Sequence, residues 1–157
     1  MESGPWGTKI QRLARIAEQR DLKVESVDYT DTMDPDVRVD RLLAILDRED
    51  EDCVLAGSSM GGYVALAASI EASVHGVFLM APALYIPGYK LQDYPTMAPT
   101  VEIVHGWNDD VIPAENSIRF AKAASHNLHL VKGNHALSDV LEDVDRLFEL
   151  FLARIPG

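Results

Sequence analysis

The chain reads as a mostly parallel α/β sheet of about five strands with helices on both faces, and three observations predict it. Short apolar runs alternate with stretches of helical spacing. No repeat or low-complexity linker interrupts that alternation. A chain of 157 residues that is 47% hydrophobic is also large enough to bury one core, so residues 1–157 are expected to form a single domain.

Each element has its own signal. Thr8 to Arg20 places Ile10, Leu13, Ile16 and Ala17 on one helical face, and Lys23 to Tyr29 reads as a short strand. Asp34-Pro35 supplies a cap and a proline at the first helical position, opening a helix with Val39, Leu42, Leu43 and Leu46 inside. Cys53-Val54-Leu55-Ala56 is a short apolar run bounded by the charged stretch from Asp47 to Asp52, which predicts a buried strand over 53–58. Tyr63, Val64, Leu66, Ala67 and Ile70 then predict a helix over 60–71. Strands over 76–81, 100–105 and 128–131, a helix over 114–124 and a terminal helix from about 138 to 153 complete the order. Strands joined by helical crossovers pair in parallel.

Charge and composition narrow the function classes. With 25 acidic against 14 basic residues, the formal net charge is −11, which argues against nucleic-acid and anionic-membrane partners. Nine of the acids lie between Asp31 and Asp52 against three arginines, a pattern that reads as a solvated helix and loop or as an acidic docking face. Cys53 is the single cysteine, so no internal disulfide is expected and a packed thiol is. No apolar run is long enough to span a bilayer and the first residues lack the pattern of a signal peptide, so a cytoplasmic location is expected.

The chemistry centres on Gly57-Ser58-Ser59-Met60-Gly61-Gly62, which ends the predicted strand at 53–58 and opens the helix at 60–71. A strand that turns directly into a helix holds the residue at the bend in a strained backbone conformation with its side chain projecting. Ser59 is therefore the candidate nucleophile, with Gly57 and Gly61 expected at points of close backbone approach. The N–H of Met60, at the positive end of the new helix, is a candidate oxyanion donor. A hydroxyl needs a base and an orienting carboxylate. Asp109 follows the strand-like run Thr100 to Val104, and His135 follows the run Leu128 to Val131. Both fall past the C-terminal ends of strands, the edge where ligands collect in parallel sheets.

Together, Gly57-Ser58-Ser59-Met60-Gly61, His105-Gly106-Trp107-Asn108-Asp109 with Val111-Ile112-Pro113, and Gly133-Asn134-His135 resemble the α/β-hydrolase superfamily. More narrowly, they are similar to its small, nearly lidless serine esterases, over most of the chain from about Ser3 onward. The order Ser59, Asp109, His135 is the family's triad order. The resemblance makes Asp109, rather than Asp110, the triad acid, since it holds the Asp place in the His-Gly-x-x-Asp pattern. It implies hydrolysis of a small-molecule carboxylic ester or thioester. A catalytically weak or silent binding module on the same fold is the alternative.

The front of the chain departs from that pattern. Family members begin with a strand ending in His-Gly whose following loop gives a second oxyanion N–H. Here Met1-Glu2-Ser3-Gly4-Pro5-Trp6-Gly7 resembles the residues just after that His-Gly, so either the chain is natively short or its start codon is misassigned. Met1 would then stand where the second oxyanion donor belongs, with slow turnover as the consequence. The family's strand would lie between the segments at 24–29 and 53–58. Those two strands are expected to pair directly; a strand from another chain, giving a homodimer, or a loosened edge are the alternatives.

Remaining residues receive narrower expectations. The long segment Pro82 to Pro99 should overhang Ser59, with Tyr85 and Tyr89 contacting an apolar acyl or aryl group or else pinning the segment down. Trp107 either lines the same cleft or packs at its edge. His105 is expected to pack beneath the acid loop. His75, His126 and His129 have no carboxylate at motif spacing and read as surface or strand residues. No metal site is expected from one cysteine and no helical His-x-x-x-His pair, and no nucleotide cofactor is expected without a phosphate-loop pattern. Attack needs a neutral imidazole, so activity should climb through roughly pH 6 to 8.

Overall fold

The computed structural model describes residues 4–49 and 52–156. Its elements run α1 (Thr8–Glu18), α2 (Pro35–Arg48), β1 (Val54–Ser58), α3 (Met60–Glu71), β2 (Gly76–Met80), β3 (Thr100–Gly106), α4 (Ala114–Ala124), β4 (Asn127–Val131) and α5 (Leu141–Arg154). The four strands form one parallel sheet in the order β1-β2-β3-β4.

The local chemistry of the sequence explains most boundaries. The Asp34 side chain accepts from the amides of Asp36 and Val37 at 2.9 and 3.4 Å, and Pro35 begins α2 where its missing N–H costs nothing. Ser125, in the left-handed region at φ 56°, ends α4. β2 is buried along its full length, and its alternation divides the core. Val77 and Leu79 point into a cluster with Tyr63, Leu66 and Phe120, on the face covered by α2, α3 and α4. Phe78 and Met80 point the other way, among Leu13, Phe148 and Phe151 of α1 and α5. Helices therefore cover both faces, as expected.

One element differs from the sequence reading. Residues 23–29, expected as a strand paired to β1, join no ladder, so four strands form among the described residues. Val24, Val27 and Tyr29 instead share with Val54, Leu55 and Ala56 the lining of one cavity of about 1390 Å³. The expected direct pairing is thus replaced by an open groove. Cys53 O and Ser59 N bond toward β2, so the amides of Val54, Ala56 and Ser58 face the groove, since alternate residues of a parallel strand bond to opposite sides. Ala56 is exposed in mid-strand as a result.

Two histidines without a carboxylate at motif spacing have one in space. His75 Nε2 lies 3.1 Å from Asp52, and His129 Nε2 lies 2.7 Å from Glu102. Glu102 is buried on β3, where Asn127 and Arg154 also donate to it, tying the end of α5 to the sheet. His126 packs against Phe120 with ring centroids 4.9 Å apart, and its buried Nε2 has no hydrogen-bond partner among the described residues.

Two outcomes are expected. In hydrogen exchange, the amides of Val24 to Val27 and of Val54 and Ala56 should exchange far faster than those of Val77, Phe78 and Leu79; equal protection would mean that the groove is closed in solution. Burial holds the His126 pKa below the ordinary histidine value. The unfolded chain therefore takes up that proton first, so this stability is present at neutral pH and lost as pH falls through the ordinary histidine range. Thermal melts of His126→Phe should accordingly show a smaller drop in Tm between pH 7 and 5 than the parent protein.

Candidate active site

The site is built on the C-terminal ends of three strands. At the first, Ser59 sits between β1 and α3 at φ 56° and ψ −123°, a backbone conformation that costs of the order of 1–3 kcal/mol for a non-glycine residue. Surrounding hydrogen bonds hold it there. Ser59 N donates to Met80 O at 3.0 Å, and Ser59 O accepts from the amides of Gly62, Tyr63 and Ala83 at 3.0, 3.3 and 2.9 Å. A Cβ at Gly57 would lie 2.2 Å from the carbonyl oxygen of Gly61, so only glycine lets β1 pass so close to the first turn of α3.

Gly61 itself has open space where its Cβ would be, contrary to the expectation from the sequence. The second close approach belongs to Gly62, whose Cβ would lie 2.8 Å from that of Pro82. A glycine pair after the serine signals that one of the two packs tightly, but the side of the helix facing Pro82 is set by the β2 connection, which the motif does not encode.

The acid and the histidine come from the ends of β3 and β4. A Cβ at Gly106 would lie 2.2 Å from Gly133 O, and Asn108 N donates to that same oxygen at 3.0 Å. The two loops are thereby drawn together. Asp109 uses both oxygens: Oδ1 accepts from the amides of Val111 and Ile112 at 2.9 and 2.8 Å, and Oδ2 lies 2.7 Å from His135 Nδ1. Burial of this carboxylate acts to raise its pKa, but the hydrogen bonds from His135, Ile112 and Val111 outweigh it and hold Asp109 below the usual carboxylate range. The far ring nitrogen of His135, Nε2, lies 3.1 Å from Ser59 Oγ. Since Asp109 Oδ2 is an acceptor, Nδ1 carries the proton and Nε2 presents its lone pair to the hydroxyl.

His105 lies fully buried under this loop. Its Nδ1 is 2.7 Å from Ser117 Oγ, while Nε2 is 2.9 Å from Ile112 O and 3.1 Å from Asp109 Oδ2. It thus braces the back of the acid. Asp110 points to solvent.

Of the other expected site residues, Met60 and Tyr89 line the cavity with Ser59 and His135. Met60 begins α3, so its N–H is among the first-turn amides without an intrahelical acceptor. Met1 lies outside the described residues. Tyr85 and Trp107 are not part of the cavity lining. Tyr85 packs against Tyr94 at 5.2 Å and beneath Arg119 at 3.9 Å, and Trp107 is largely exposed. Tyr94, its pKa pushed up to about 12 by burial, accepts from Tyr85 N at 2.8 Å and packs against Tyr63 and Phe120. Most of these tyrosines pin the 82–99 segment to the domain.

The chain belongs to the alpha/beta hydrolase family, whose model matches residues 3–156. A protein of the alpha/beta hydrolase superfamily from Xanthomonas campestris pv. campestris is 34% identical, with 98% of this chain covering 94% of that one at a TM-score of 0.89. At lower identity the fold alone is shared. Est1E from Butyrivibrio proteoclasticus is 20% identical, with 98% of this chain and 84% of that one covered and a TM-score of 0.74. A second Xanthomonas campestris protein, described as an α/β serine hydrolase without lid, is 17% identical, with 95% and 74% covered and a TM-score of 0.73. No curated protein matches the chain. Among the described residues no helix is long and apolar enough to cross a membrane.

The two glycines of the elbow should separate in stability. Gly57→Ala forces a backbone shift and should cost about 1–3 kcal/mol, lowering Tm by roughly 2–12 °C. Gly61→Ala meets no obstacle and improves helix propensity by about 1 kcal/mol, so Tm should hold or rise by roughly 2–4 °C. Thermal melts of both variants read the difference directly.

Proposed function

We propose that this chain is a serine hydrolase that cleaves carboxylic esters or thioesters through an acyl-enzyme. The observation that carries the reading is the His135 ring, 2.7 Å from Asp109 on one nitrogen and 3.1 Å from Ser59 Oγ on the other. That is the relation of nucleophile, base and orienting acid required for acyl transfer.

In the first half of the reaction Ser59 Oγ bonds to the substrate carbonyl carbon while His135 Nε2 takes the hydroxyl proton. The oxyanion forms at the start of α3, where Met60 N–H donates to it. Collapse of this intermediate breaks the bond to the leaving oxygen or sulfur, which departs with the proton from His135. Water then attacks the acyl carbon, gives its proton to His135, and the returning proton frees Ser59 and the carboxylic acid. Asp109 keeps its charge throughout and holds His135 in the Nδ1–H tautomer, which its hydrogen bonds support. Tyr89 and Ile86 line the same cavity as Ser59 and give it apolar walls.

A fluorophosphonate probe tests the reading, because it labels only an activated serine. The parent protein should label at Ser59 and hydrolyse p-nitrophenyl esters, and Ser59→Ala should do neither while keeping its fold. Asp109→Asn should lower kcat by about 10⁴-fold, the scale seen when a triad histidine is trapped in the wrong tautomer, whereas Asp110→Asn should change it little. A folded parent protein that neither labels nor turns over esters would favour the silent binding module.

A further inference from the structure

His105 on β3 and Ser117 on α4 are both completely buried behind the loop that carries Asp109. That loop faces solvent on its outside, where Trp107 and Val111 are 59% and 61% exposed. Its first half is tied down by backbone, since the amides of Trp107 and Asn108 donate to Val131 O and Gly133 O at 2.9 and 3.0 Å. The second half is held differently. Among the described residues, Asp110, Val111 and Ile112 take part in three hydrogen bonds: the two amides that Asp109 Oδ1 accepts, and the bond that His105 Nε2 donates to Ile112 O at 2.9 Å. The amides that grip the acid are thus tied to the sheet through His105. Ile112 also buries its side chain in the core, but apolar burial is non-directional and does not set which way the peptide faces.

The neighbours of the ring assign its hydrogen. Nε2 faces two acceptors, the carbonyl of Ile112 and, at 3.1 Å, Asp109 Oδ2, so this nitrogen carries the hydrogen. Nδ1 is then the acceptor, and the Ser117 hydroxyl donates to it at 2.7 Å. The opposite tautomer would turn a lone pair toward both oxygens. Ser117 therefore sets the ring, the ring sets Ile112, and the Ile112 amide holds Oδ1 of the acid. The same ring edge stands beside Oδ2, the oxygen that lies 2.7 Å from His135 Nδ1. Replacing two such buried partners by apolar groups of the same shape can be neutral for stability, so folding alone does not call for this pair.

We propose that His105, set by Ser117, is a positioning residue of the triad: it fixes the Asp109 carboxylate so that His135 presents Nε2 to Ser59 in the reacting geometry. This rests on the serine-hydrolase reading above. Rates are sensitive to such placement, since a misplacement of about 1 Å can cost 10²-fold.

His105→Phe keeps a planar ring without an N–H, and His105→Gln returns an amide N–H to the place of Nε2. At a temperature where thermal melts show each protein folded, His105→Phe should hydrolyse p-nitrophenyl acetate with kcat lowered about 10- to 100-fold and KM little changed, and His105→Gln should recover most of that loss. Ser117→Ala is the smaller change and serves if His105→Phe does not fold; it should lower kcat by about 3- to 10-fold. A second measurement needs no substrate. The His135 Nδ1 proton shared with Asp109 gives a far-downfield line in the proton NMR spectrum, identified by its absence from His135→Ala. That line should stay in place in His105→Gln and shift upfield in His105→Phe as its hydrogen bond lengthens. Turnover by the parent protein, with kcat and the line both unmoved in folded His105→Phe or in Ser117→Ala, would make His105 a core residue only and leave hydrolysis standing. A loss of kcat in His105→Phe that His105→Gln does not recover would overturn the assignment too. A line that shifts as expected, in a protein whose parent form turns over no ester, would uphold His105 and sink the hydrolase reading.

Discussion

Everything at the site depends on the backbone contact at Gly57. Because no Cβ stands at that position, the carbonyl of Gly61 comes within the space that one would occupy, and β1 passes into α3 through a single residue. Ser59 takes the strain of that turn at φ 56°, and its carbonyl collects three amides that prevent relaxation. The bend therefore does two things at once. It projects the hydroxyl over the sheet edge, and it makes the next amide in the chain, that of Met60, the first of α3.

The same physical device works a second time between the last two strands. Gly106 lets β3 approach Gly133 as closely as Gly57 approaches Gly61, and the loops bearing Asp109 and His135 then meet. Electrostatics completes what the backbone begins. Two amides on Oδ1, and His135 with His105 beside Oδ2, surround a carboxylate whose side chain is fully buried and keep it charged. A charge buried without those donors would protonate instead, and the imidazole tautomer would no longer be set.

On the other side of β1 the domain is built differently. Hydrophobic clusters pack above and below β2 and β3, whereas β1 meets a groove lined by residues of 22–29 and α1. Rigid and open parts thus share Ser59 as a common corner. Ser59, Asp109 and His135 stand at the ends of β1, β3 and β4, and Ser59 and His135 also line the groove.

Helix positions, four of the five expected strands, the elbow and the Ser59, Asp109, His135 set were legible in the residues, because periodicity, caps and short glycine motifs act over a few residues of chain. Helix α3 spans Met60 to Glu71 as its apolar spacing indicates, and Asp34 caps α2 through its own side chain. What lay beyond the sequence is long-range. Residues 22–29 have the composition of a strand, but a strand exists only where a neighbour satisfies its amides, and β1 is not within pairing reach. Tyr85 and Trp107 sit near the site in the chain but not in its cavity, since the tyrosine cluster directs one inward and the acid loop leaves the other in solvent. The sequence alone therefore determined the local backbone and which serine, acid and histidine meet at the strand ends; the tertiary structure decided which segments pair and which side chains share the cavity, because pairing and burial depend on partners far away in the chain.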